Sequence, residues 1–142
     1  MFDAEFNKQL AVNSIKDLPN LANYKYYIDL NNKLDRELGD FLRAEVGNPK
    51  LYSNDLRHQY VSALYARNLG EDMAKRLGNM NEWTNFSGSG TEDTKLDQIN
   101  NEIGRAYGLN NPTMPRGELL YKLLTDHYTN KQYAEQRLLE GK

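Results

Sequence analysis

Three short runs place polar groups where packing alone would favour apolar ones: Arg57-His58, Asn81-Glu82-Trp83, and Asp97-Asn100-Asn101 with Gly104-Arg105 following. An imidazole beside two carboxylates can pass a proton as general base or acid, and a guanidinium can clamp an anion. On that reading His58 is the base, Glu82 its partner or a second acid, and Arg57 the clamp. Asn100 and Asn101 orient a substrate. The same residues have a second reading. Buried polar groups cost free energy unless they are paired. Arg57, His58, Asn81, Glu82, Asp97, Asn100, Asn101 and Arg105 can therefore satisfy one another in a network that fixes how helices dock.

His58, Glu82 and Asp97 could offer a metal three ligands. With two histidines in the chain and no ligand-spacing motif, neither metal nor cofactor is expected. The sequence has no phosphate loop, G-x-S-x-G, H-E-x-x-H or dinucleotide fingerprint. These absences weigh against an enzyme. Glu118, Asp126, Glu135 and Glu140 read as a solvated face, and His127 as a boundary residue.

The elements that must carry these groups are helical. Hydrophobic period predicts segments over 3–15, 21–46, 54–69, 71–80, 94–107, 116–128 and 131–139. Tyr27, Leu34, Leu38 and Leu42 mark the inward face of the second, and Gly39 is a point where it could bend. The face around Asp29, Asn32, Lys33, Arg36 and Asp40 is polar. The third segment is apolar on most sides, with only a strip around Asp55, Gln59 and Ala66 suited to water, so it belongs at the centre. In the fifth, Leu96, Ile99, Ile103, Ala106 and Tyr107 turn inward. Asp97, Asn100, Asn101 and Gly104 lie within about 100° on the helical wheel, and Gly104 allows another chain to approach closely. Gly47, Gly70, Gly78 and Gly108 stand where helices would stop. A polar loop is expected over 85–92.

The fold expected is all-α: one compact bundle of six to seven helices around a buried central helix at about 53–69. It forms a single domain over 1–142, with a motif region at 55–105 and flanking helical arms at 1–48 and 112–142. Composition agrees. The chain has 142 residues, 39% of them hydrophobic and 27% charged, which suits one folded domain. It has no cysteine, which excludes a disulfide scaffold and a thiol nucleophile. A net charge of −2 disfavours a nucleic-acid surface. The acidic opening Met1-Phe2-Asp3-Ala4-Glu5 lacks the order of a signal peptide, and no apolar run could span a bilayer.

The run Asp55-Leu56-Arg57-His58-Gln59-Tyr60, with Asn81-Glu82 and Asp97-x-x-Asn100-Asn101-x-x-Gly104, resembles a family of small helical domains of unknown function. Its members occur at the ends of secreted bacterial proteins and among phage genes. The resemblance covers residues 55–105, about a third of the chain. Many members have His-Glu where this chain has Asn81-Glu82, and tryptophan is common where Tyr60 stands. Losing that histidine removes a possible acid or base, and the asparagine variant looks like the phage branch. The resemblance implies a fold and a genomic setting, not a reaction. With the absent catalytic motifs, the phage-like variant leads to the expectation of a virion-associated structural or assembly protein, a tail, neck or internal component, working through contacts with other virion proteins or with itself. The alternative is a small hydrolase or effector acting on cell wall or nucleic acid through His58 and Glu82.

Overall fold

A computed structural model describes the backbone of residues 21–83 and 92–141 and the side chains of residues 27–78 and 94–141. The expected helix over 3–15 and most of the expected loop over 85–92 lie outside the described residues. Within them the chain is an all-α bundle of six helices, as its periodicity requires. These are α1 (Leu21–Phe41), α2 (Asn54–Leu69), α3 (Glu71–Trp83), α4 (Glu92–Asn110), α5 (Arg116–Thr125) and α6 (His127–Glu140).

Helix α1 stays α-helical through Gly39 and instead widens into a π-helical turn, Leu42–Val46. Gly47 ends that turn at φ +78°, in the left-handed region glycine favours, and both its N–H and that of Asn48 reach the Leu42 carbonyl. A short 3-10 turn, Pro49–Leu51, leads to Ser53, whose Oγ accepts from the Leu56 N–H and so caps α2. The cap fixes where α2 begins. Gly70 at φ +91° ends it.

Helix α2 is the central element. Leu56, Tyr60, Ala63 and Leu64 are buried, together with Tyr27, Leu30, Leu34, Leu38 and Leu42 from the first arm and Leu119, Leu120 and Leu123 of α5. Burying each such leucine stabilises the fold by roughly 2 kcal/mol before ordering costs. Asp29, Asn32, Lys33, Arg36 and Asp40 are exposed on the opposite face of α1, as expected.

The strip of α2 expected to be wet is so only in part, with Asp55 half-buried. Gln59 and Ala66 are each 1% exposed, because α4 lies along that side. The most extensive pairing in the fold is α2 with α4. Two glycines on α4 allow it. A Cβ on Gly104 would stand 2.2 Å from the Gln59 carbonyl oxygen, and one on Gly108 would stand 2.1 Å from that of Ala63. Both pairs are four residues apart, one helical turn, so backbone meets backbone over a full turn. Gly108 and Gly78 are thus not helix stops. Each lies inside its helix. With Gly104 and Gly108 turned to α2, Ala106 is carried to the far side and is exposed rather than inward.

The last two helices break earlier than the expected gap between 128 and 131. The break falls at Asp126, which has φ −91° and ψ 3°. The Tyr107 hydroxyl donates to its carboxylate over 2.6 Å, which ties the corner to α4. Asp126 is therefore a structural anchor and no part of a solvated face.

Candidate functional site

Of the residues singled out from sequence, Arg57, His58, Asp97, Asn100 and Asn101 meet along the α2/α4 seam. His58 projects from α2, and its Nδ1 lies 2.8 Å from Asn101 Oδ1 on α4. The Ser62 hydroxyl donates to the same oxygen over 3.1 Å. An amide oxygen only accepts, so the His58 proton sits on Nδ1 in the neutral ring and Nε2 is left as an acceptor. Nε2 lies 3.4 Å from an Nη of Arg57 and 3.4 Å from Asp97 Oδ1. Arg57 also donates to Asn54 Oδ1 over 2.7 Å. The Asn54 amide donates to Asp97 Oδ1 over 2.9 Å, which closes a ring of four side chains.

A second string runs beside the first. Gln59 Nε2 donates to Asn100 Oδ1 over 2.8 Å, and Asn100 Nδ2 donates to Asp55 Oδ1 over 3.1 Å. Asn100 has no exposed surface and Asn101 only 5%. Both amides are cross-helix bonds in a place water scarcely reaches, where an unmade hydrogen bond is costly.

Burial is the largest influence on the His58 ring and lowers its pKa from the ordinary 6.5. The Asp97 carboxylate pulls the other way, Arg57 adds to the lowering, and the Asn101 bond and Asp55 oppose it. The consequence for stability has a definite sign. The unfolded chain binds the proton more readily, so the stability His58 contributes is present above about pH 6.5 and is lost as pH falls below it.

Arg105 does not join this ring. It lies one turn beyond Asn101, on the side of α4 turned to α3 and α6, and lines a pocket there. Asn81 and Glu82 stand at the end of α3, and their side chains lie outside the described residues. Among the described residues no three His, Cys, Asp or Glu side chains converge as metal ligands, and no helix is long and apolar enough to cross a membrane.

Sequence reasoning missed Asn54, Gln59 and Ser62 as members of the cluster. The signal was the spacing Gln59-x-x-x-Ala63 set against Gly104-x-x-x-Gly108. It also missed a second, half-buried polar group. Arg116 of α5 donates to both oxygens of Glu37 on α1 at 2.9 Å, and the Tyr60 hydroxyl of α2 donates to the same carboxylate. Burial and Glu37 together push the Tyr60 hydroxyl far above its ordinary pKa, so it remains a donor.

The fold and the cluster define an all-helical domain whose two central helices are joined by a polar seam. Comparison with protein-family models, with curated proteins and with solved structures gives no match for this chain.

Proposed function

We propose that the chain is a structural or assembly protein associated with a phage virion, a tail, neck or internal component that acts through protein–protein contacts. One observation carries the structural part. His58, Asn54, Gln59, Ser62 and Asp55 of α2 are bonded to Asp97, Asn100 and Asn101 of α4, with Gln59 Oε1 the buried atom left unpaired, and cross-helix bonding of this kind is what a docking network does. The phage setting rests on the resemblance of residues 55–105. Exposed aromatic and aliphatic side chains supply contact surface. Tyr128 and Leu139 are 71% and 63% exposed and lie eleven residues apart on one face of α6, roughly 16 Å along it. Tyr52 and Tyr133 are exposed as well.

Mass spectrometry of the purified particle is expected to find the chain at a fixed copy number. Sedimentation of the isolated protein is expected to show self-association or capture of a particle protein, weakened at least tenfold by Tyr128→Ser with Leu139→Ser. A chain absent from the particle and strictly monomeric contradicts the proposal.

A hydrolase reading has one specific foothold: Asn101 holds the His58 ring in the tautomer that leaves Nε2 unprotonated, as a base requires. His58→Ala and Glu82→Gln decide it. Folded variants with an unchanged lysis or cleavage phenotype remove it.

A further inference from the structure

The face of α4 turned away from α2 carries a different kind of site. Between α3, α4 and the end of α6 lies an open pocket of about 470 Å³. Four cationic side chains line it, Lys75, Lys95, Arg105 and Arg137, against one carboxylate, Glu102. That is a concentration of positive charge in a chain whose net charge is −2.

The carboxylate is already neutralised. Arg137 donates to its two oxygens over 3.0 and 3.2 Å. The charge and bonds of Arg137 lower the Glu102 pKa, so it stays ionised within that pair. Lys75 has a loose contact with Glu71 at 3.6 Å across one helical turn, which an incoming anion can replace.

Arg105 lines the pocket one turn along α4 from Asn101. Its Nε is buried and has no hydrogen-bond partner among the described residues. Burial disfavours its charge, with only Glu102 and Glu71 acting from a distance to hold it. A partly desolvated guanidinium gains from an anion that reaches its terminal nitrogens from the pocket.

The floor of the pocket is built by Gly78 and Asn101. A Cβ on Gly78 would stand 3.1 Å from Asn101 Nδ2, so the glycine leaves room beside that amide. Asn101 thus offers its oxygen to His58 and Ser62 on the seam and its amino group toward the pocket side. An anion bound there bears on the residue that orients His58.

We propose that this pocket binds the phosphate of a small phosphate monoester, held by Arg105, Lys95 and Lys75 with Asn101 as a neutral donor. A phosphate dianion offers three strong acceptor oxygens, which suits a fork donor flanked by two ammonium groups. The volume falls in the range of small-molecule sites and leaves room for an attached sugar. The site is independent of the assembly role, and its failure leaves that reading untouched.

The test is titration of the intact protein with inorganic phosphate and with ribose 5-phosphate at constant ionic strength, followed by calorimetry and amide NMR. Saturable binding of both, no binding of ribose, and a shift of the Asn101 side-chain amide are expected. Lys95→Gln, at an exposed position, keeps the fold and is expected to weaken binding about tenfold. Arg105→Gln is expected to weaken it further. Absence of saturation by either phosphate, or affinity unchanged in Lys95→Gln, overturns the proposal. An oligonucleotide without terminal phosphates that displaces ribose 5-phosphate overturns the choice of a monoester.

Discussion

Gly104→Ala is expected to destabilise the protein by about 3 kcal/mol, and Gly108→Ala by a similar amount. The added methyl would sit 2.2 Å from the Gln59 carbonyl oxygen and 2.7 Å from Gln59 Cα. Ordinary contact begins near 3.4 Å, so α2 and α4 would have to part by about 1 Å. The obstacle is backbone, which cannot swing aside as a side chain can. Separation on that scale also stretches the Gln59–Asn100 and His58–Asn101 bonds, both now 2.8 Å. Overpacking costs about 1–3 kcal/mol and two loosened buried bonds roughly 1 kcal/mol each. The better helix propensity of alanine returns about 1 kcal/mol. Urea unfolding measures the net. Gly78→Ala is the control: its methyl would meet only a side-chain nitrogen, at 3.1 Å, and a change within about 1 kcal/mol is expected. A Gly104→Ala protein as stable as the parent would contradict the close approach.

Glu37→Ala carries the second large effect. It removes the carboxylate that takes hydrogen bonds from Tyr60 on α2 and Arg116 on α5. The Arg116 side chain is 10% exposed and that of Glu37 is 27% exposed. Loss of one partner of a buried pair typically costs 3–5 kcal/mol. Partial exposure of Glu37 places the expected loss near the lower figure, about 3 kcal/mol. Replacing both, Glu37→Leu with Arg116→Met, is expected to be much milder than the sum of the single changes. Equilibrium unfolding of the four proteins checks this. Additive losses would show that Glu37 and Arg116 act separately.

Much of this architecture was legible because it depends on period and punctuation. Leu34, Leu38 and Leu42 announce the buried face of α1, and Ser53 and Gly70 bound α2 where their cap chemistry requires. The α2/α4 seam was only half legible. Asp97, Asn100, Asn101 and Gly104 stand out on one face of a helix, but nothing local says what they meet. Gln59 looked like a solvent residue because a polar side chain on a helix is ordinarily wet, and only the arrival of α4 over it reverses that. Ala106 looked inward because it is apolar, yet Gly104 and Gly108 claim the docking face by being small rather than hydrophobic. Glu37 and Arg116 are 79 residues apart, and no local pattern links them. Arg105 shares the Asn101 face by spacing, but its place beside Lys75 and Arg137 follows from the packing of α3 and α6.

The central claim is that the His58 cluster exists to hold α4 on α2. The most direct measurement is a double-mutant cycle in urea unfolding at pH 7.5 with His58→Leu, Asn101→Leu and the pair. A coupling of about 1–2 kcal/mol is expected, the double variant losing less than the sum of the singles. At pH 5.5 the parent is expected to lose more stability than His58→Leu does, as the lowered His58 pKa requires. Additive losses within about 0.5 kcal/mol would contradict the claim and leave the histidine held for some purpose other than docking.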